Sequence, residues 1–256
     1  MKLTIFASGS KGNCLLISSK GTNILIDAGI SARRIKDSLS RLGLSVHDLN
    51  GVLITHEHSD HILGLKTLTK NAALPIYTSR AIGNRLIAFT NNLSLDIRPI
   101  SADGFSVGNL LVRSFPTPHD SVESYGYRVE GDAVFAIATD MGYLTNDIVN
   151  GVVGADTVII EANHDVEMLK NGPYPYPLKQ RILSDHGHLC NSECGRLAAH
   201  LEKNGTSNII LGHLSENNNT PQTAYHTVQQ YLTNGSTYLC CAPANELFEL
   251  EFGSSV

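Results

Sequence analysis

The apolar run Gly51–Thr55 leads directly into His56-Glu57-His58-Ser59-Asp60-His61. The run GVLIT reads as a buried strand, rich in branched side chains and short enough to cross a core once. Three histidines and an aspartate cannot follow such a strand into an apolar interior without partners. The chain must therefore fold so that a buried strand ends at a polar edge. In an extended exit, His56 and His58 are two residues apart and point the same way. Asp60 and His61 then open a helix that continues through Ile62–Lys70, so the turn aims them elsewhere. Two ligand pairs with different aims suit two adjacent metals. Imidazole and carboxylate donors fit zinc, manganese or iron(II) alike, and the cluster has no thiolate.

Strand-sized runs surround the cluster. Lys2–Ala7, Asn13–Ser18 and Asn23–Asp27 read as consecutive strands with tight turns, and Ser31–Leu42 as an amphipathic helix capped by Ser31 and stopped by Gly43. Further strands are expected at Pro75–Thr78, Leu95–Ile100, Phe105–Phe115, Tyr125–Glu130, Ala133–Thr139, Thr157–Glu161, Asn208–Leu211, Thr237–Cys241 and Glu246–Phe252. Helices are expected at Ser79–Phe89, Leu144–Val153, Asn191–Lys203 and Pro221–Leu232, with Gly172–Pro177 a Pro/Tyr-rich loop. No linker or short-period repeat interrupts this order, which predicts one α/β (α+β) domain over residues 1–256. Its expected form is a sheet-on-sheet core with helices outside both sheets, in two similar halves meeting near residue 130.

Composition excludes several alternatives. With 42% hydrophobic and 17% charged residues in 256, the chain is not disordered. No apolar run approaches the roughly 20 residues of a membrane helix. The start MKLTIFASGS lacks the pattern of a signal peptide, so the five cysteines are expected to be reduced thiols of a cytoplasmic protein. A formal charge of −5 argues against a globally basic nucleic-acid binder. The chain has 11 histidines, many for its size, and their positions matter more than their number.

Three more candidate ligands stand alone at the ends of expected strands. His119 follows Pro116-Thr117-Pro118, Asp140 ends an apolar strand, and His213 follows Gly212. The ends of buried strands are where α/β sheets commonly carry ligand chemistry.

Together, Thr55-His56-x-His58-x-Asp60-His61 and the later His119, Asp140 and His213 resemble the metallo-β-lactamase superfamily over nearly the whole chain. The resemblance implies a four-layer αββα sandwich with two divalent metals at one edge. It places His56, His58 and His119 on one metal, Asp60, His61 and His213 on the other, and Asp140 between both. A flavo-diiron reductase would carry Glu at His58, and a classical β-lactamase Cys near Asp140. Ser8–Asn13, Glu161-Ala162-Asn163-His164-Asp165 and Gly187-His188-Leu189 further resemble the YycJ/WalJ group of cytoplasmic bacterial proteins, described as metal-dependent DNA exonucleases acting from 5′ ends. That group usually has Ser where Cys190 stands.

The implied chemistry is hydrolysis of a phosphodiester in DNA. The alternative is a small-substrate hydrolase of the same fold: a cyclic phosphodiesterase, or a thioesterase or lactonase of the glyoxalase II type. Asp60 is the candidate to hold one metal and to take a proton from the attacking water. His186 and His188 are both candidate general acids. Glu161 is expected to hydrogen-bond a ligand histidine. Ser10, Asn13 and His164 are candidate substrate contacts. The loop Ser8–Asn13 reads equally as an anion-binding nest and as a tight hairpin turn. Arg33, Arg34, Lys36 and Arg41 read as a solvated helix face. Lys66, Lys70, Arg80 and Arg85 are candidates to guide a nucleic-acid backbone, and Tyr174 and Tyr176 could stack a base.

Overall fold

The computed structural model describes residues 1–70, 72–101 and 103–253. Among the described residues, fourteen strands form two seven-stranded sheets. The first sheet draws on β1 (Lys2–Ala7), β2 (Cys14–Ser19), β3 (Thr22–Ile26), β4 (Gly51–Leu53), β5 (Ile76–Thr78) and β6 (Ile97–Pro99). The second contains β7 (Phe105–Val107), β8 (Leu110–Pro116), β9 (Tyr125–Glu130), β10 (Val134–Ala138), β11 (Thr157–Glu161), β12 (Asn208–Gly212) and β13 (Tyr238–Cys241). The last strand, β14 (Phe248–Glu251), returns to the first sheet beside β1. Each sheet is antiparallel at one side and parallel at the other: β1–β2–β3 and then β3–β6, β7–β10 and then β10–β13.

The period-two alternation of the strands builds the layers. Leu15, Ile17, Ile24 and Ile26 face inward and meet Phe135, Ile137, Ile159 and Ile210 of the other sheet. Their neighbours Leu16 and Leu25 face outward, against Ile35 and Leu39 of α1 (Ala32–Arg41). On the other side Ala136, Ala138, Val158 and Ile160 face outward. They pack under Ile148 of α5 (Asn146–Val152), Leu197 and Leu201 of α8 (Asn191–Lys203), and Val228 of α9 (Pro221–Gln229). The result is the expected αββα sandwich. The intervening helices are α2 (Ser59–Ile62), α3 (Leu65–Leu68), α4 (Arg80–Thr90), α6 (Val166–Asn171) and α7 (Tyr176–Ile182).

Helix starts follow side-chain caps. Ser31, Ser79, Thr145 and Thr220 accept hydrogen bonds from the third residue after each. The elements that differ from the sequence reading include α6, where no helix was expected, and three others. The helix expected from Ile62 to Lys70 is two short helices, α2 and α3. Gly64 lies between them, donating its N–H to the Ala28 carbonyl at 2.8 Å, and a Cβ there would sit 2.4 Å from the Ile30 carbonyl oxygen. That contact docks the loop after β3 into the break. The strand expected over Phe105–Phe115 is the hairpin β7–β8, turning at Gly108 with φ 58°. Helix α7 begins inside the expected Gly172–Pro177 loop, with Pro177 in its first turn, where a missing N–H costs nothing.

Candidate metal centre

Six strand ends meet at one edge of the sandwich. Asp27 follows β3, His56 follows β4, His119 follows β8, Asp140 follows β10, Glu161 ends β11, and His213 follows β12. Asp27, Asp140 and His213 adopt left-handed backbone, with φ of 59°, 57° and 53°. This is an uncommon conformation for residues with side chains, and it turns each one out of its strand line into the shared edge.

The donor atoms fall into two trios. Ring nitrogens of His56, His58 and His119 lie within 4.8 Å of one another, and so do donors of Asp60, His61 and His213. Asp60 Oδ2 is 3.5 Å from both His61 Nε2 and His213 Nε2. Asp140 stands between the trios, with Oδ2 3.4 Å from His61 Nε2 and Oδ1 3.7 Å from His119 Nε2. All seven residues singled out in the sequence for metal are thus brought together.

A second set of contacts orients the imidazoles. His61 Nδ1 donates to Asp27 Oδ2 at 2.7 Å, His213 Nδ1 to Glu161 Oε1 at 3.0 Å, and His119 Nδ1 to the Gly187 carbonyl at 3.2 Å. The Thr55 hydroxyl donates to Asp27 and sits 3.0 Å from His56 Nδ1. Because these partners accept, each ring keeps its proton on Nδ1 and turns a bare Nε2 toward the centre. His58 is the exception: its Nδ1 lies 3.3 Å from His119 Nε2.

Whether a cation fits can be judged from the atoms left without partners. His56 Nε2, His213 Nε2 and Asp140 Oδ2 are buried and make no hydrogen bond among the described residues. Leaving three such donors and acceptors unmade in one small volume is costly unless something is coordinated there. The charge points the same way. Asp27, Asp140 and Glu161 are buried, and Asp60 is about one quarter exposed. Their combined charge of −4, with neutral imidazoles, is what two divalent cations would balance.

Without a cation the imidazoles themselves respond to that charge. Burial depresses His213, but Asp140, Asp60 and Glu161 outweigh it and push it up to about 10. His61 is raised in the same way by Asp27 and Asp140 against its burial. Burial would raise the Asp60 carboxyl, yet His213 and His61 hold it well below the usual range. His56 moves down, through burial and the neighbouring histidines.

The other candidates separate. His188 enters the centre: its ring lies 5.2 Å from that of His119 and 5.3 Å from that of His213, and Nδ1 donates to Glu161 at 2.7 Å. Burial lowers its pKa, but Glu161 raises it further, leaving a net upward shift. His186 is exposed and has no hydrogen bond among the described residues. Ser10 is exposed and lines a hollow beside His188. Asn13 turns inward instead of toward the groove. It closes its own loop by accepting from the Gly9 N–H and donating to the Gly9 carbonyl, and its amide lies 3.0 Å from His61 Nε2. The Gly9, Gly12 and Asn13 N–H groups are all spent within the fold, and the Gly12 N–H on the Gly9 carbonyl closes the turn. His164 is 1% exposed, neither ring nitrogen has a partner, and burial lowers its pKa to about 4. In that position it is shut off from solvent. Asp27, Asp120 and Arg181 were not singled out in the sequence. Asp27 sat at a strand end with no histidine beside it, and Asp120 and Arg181 meet only through the fold.

Residues 22–214 match the beta-lactamase superfamily domain, and the chain belongs to that family. Within it, the chain is 36% identical to exodeoxyribonuclease YycJ of Bacillus anthracis, over 91% of this chain and 89% of that protein. It is 37% identical to exodeoxyribonuclease WalJ of Streptococcus pneumoniae, over 90% and 88%. The fold is similar to the metallo-beta-lactamase fold protein YhfI of Bacillus subtilis, with a TM-score of 0.71, 19% identity and coverage of 97% of this chain and 100% of that one. It is also similar to Zn(2+)-bound PqqB of Methylobacterium extorquens, with a TM-score of 0.72, 16% identity and coverage of 98% and 100%.

Proposed function

We propose that the protein is a phosphodiester hydrolase using two divalent metal ions, and that it degrades DNA from 5′ ends. The observation that carries the metal reading is the pair of donor trios sharing Asp140, with four carboxylates to balance two dications. Similarity to YycJ and WalJ over about nine tenths of the chain supports DNA as the substrate. His56, His58 and His119 would hold one ion, Asp60, His61 and His213 the other, with Asp140 between them. Zinc, manganese and iron(II) all suit this donor set. Bound ions would supply Lewis acidity at the phosphoryl oxygens and an activated water near neutral pH.

The protein's own residues do the rest. Asp27, Thr55 and Glu161 fix the tautomers, so every Nε2 they control faces inward. Asp60, about one quarter exposed, would take a proton from the attacking water. His188 is held by Glu161 through Nδ1, leaving its other ring nitrogen for a proton to the leaving oxygen. A cytoplasmic place of action belongs to this reading, supported by five free cysteines. No helix among the described residues is long and apolar enough to cross a membrane.

Metal-reconstituted protein should shorten linear 5′-phosphorylated DNA, leave circular single-stranded DNA intact, and lose activity in Asp60→Ala. Digestion of circles would remove the exonuclease reading. Undetectable DNA binding at low salt would favour a small-substrate hydrolase.

A further inference from the structure

A hollow of about 170 Å³ opens beside the centre, reaching from His188 to α7. Asp120, Tyr174, Arg181, Ser215 and His188 line it beside the apolar Leu178 and Ile182. Its polar groups have protons to give. The Tyr174 hydroxyl already accepts from Asn217 Nδ2 at 3.0 Å, so its own proton is unspent. Ser215 Oγ accepts from both the backbone and side-chain nitrogens of Asn218, each at 3.3 Å, and is in the same state. Arg181 uses only Nε, on Asp120 Oδ2, and its two terminal nitrogens have no acceptor among the described residues. The unspent donors around the guanidinium suit a ligand made only of acceptors, once it takes the place of the Asp120 carboxylate in the same wall. At roughly 30 Å³ per water the hollow holds about six waters. That is room for a phosphate group but too little for a nucleotide with its base. Arg181 holds that carboxylate through one oxygen only, which leaves the rest of the guanidinium fork for the oxygens of a phosphate. Asp120 stands next to the centre, with Oδ1 3.4 Å from His119 Nε2.

We infer that this hollow seats the terminal phosphate of the strand being degraded, and that Arg181 is the specificity residue that reads it, exchanging Asp120 for the phosphate. The inference rests on the nuclease reading above and adds what that reading lacks, a reason for the enzyme to prefer an end. A phosphomonoester carries a charge near −2 at neutral pH, whereas an internal diester carries −1 and a hydroxyl end none. The hollow lies on the His188 side of the centre, so a terminal phosphate held there leaves the adjoining diester toward the donor trios. Continuous or circular strands have no group that both fits the space and satisfies its donors.

The test uses single-stranded oligonucleotides of one sequence ending in 5′-phosphate, 5′-hydroxyl or 3′-phosphate. Cleavage is followed with metal-loaded protein, and binding by fluorescence anisotropy with chelator-treated protein. The wild type is expected to favour the 5′-phosphorylated strand by about tenfold or more, the scale of one charge-assisted contact. Arg181→Ala should collapse that ratio toward one, chiefly through KM, and Arg181→Lys should restore part of it. A preference that survives Arg181→Ala, or a wild type indifferent to the terminal group, overturns the inference. Discrimination in binding without cleavage of any DNA by loaded wild type would overturn the nuclease reading and leave the phosphate seat standing.

Discussion

Each imidazole at the centre except His58 is defined by what holds its far nitrogen. Glu161 accepts from His188 and His213 together, and Asp27 accepts from His61 and from Thr55, which in turn braces His56. Two carboxylates therefore orient four rings. Removing the His188 ring should lower kcat by about 10²-fold or more while metal content stays near the wild-type value. His186→Ala should leave both near wild type, because His186 is exposed and outside the centre. Metal analysis beside steady-state rates checks this pair, and equal losses in the two variants would remove the assignment of the acid to His188. Residues of this kind were legible in the sequence to differing degrees. His56, His58, Asp60 and His61 are crowded into one strand exit, where the spacing itself speaks. His119, Asp140 and His213 stand alone, but at ends of strands that their apolar runs reveal. Asp27 looks like an ordinary turn residue, since only tertiary pairing brings it 2.7 Å from His61. Which of His186 and His188 enters the site depends on how the loop after α7 packs, and no spacing encodes that.

Among the elements, the contact between the loop after β3 and α2 fixes where Asp60 stands. The Asn13 N–H donates to the Asp60 carbonyl at 2.8 Å, and a Cβ on Gly29 would lie 1.5 Å from that same carbonyl oxygen. No side chain can occupy the space without moving the backbone of Asp60. Gly29→Ala is expected to cost about 2 kcal/mol or more of stability and to weaken metal binding at the Asp60 trio. Denaturant melts beside metal titration would check it, and wild-type values for both would contradict the packing described. The strands were largely readable because branched apolar runs and turn residues mark them, and β11 and α8 occupy the expected spans. The hairpin β7–β8 was missed although Gly108-Asn109 is a turn signal, because apolar residues continue on both sides of it. The break between α2 and α3 was missed for a different reason: the Ala28 carbonyl that claims the Gly64 N–H comes from a distant part of the chain.

Over the whole molecule, charge decides how the protein answers to pH and to metal. With a formal charge of −5, bulk attraction cannot hold DNA, and local groups must do so. In metal-free protein the pKa of His213 rises from 6.5 to about 10. The stability this contributes is full below the unfolded value of about 6.5 and fades as pH climbs through the folded value. Metal uptake must displace that proton, so affinity grows over the same interval. The melting temperatures of loaded and chelator-treated protein should therefore diverge between about pH 6.5 and pH 9. A gap that stays flat or narrows would contradict the charge balance drawn for the centre.

That balance depends on Asp140, the carboxylate common to both trios, and on two cations opposite four carboxylates. Elemental analysis of purified, reconstituted protein measures it directly. The account predicts two divalent ions per chain in the wild type, and loss of at least one in Asp140→Ala at unchanged fold by circular dichroism. One ion or none in the wild type, or two retained without Asp140, would contradict it.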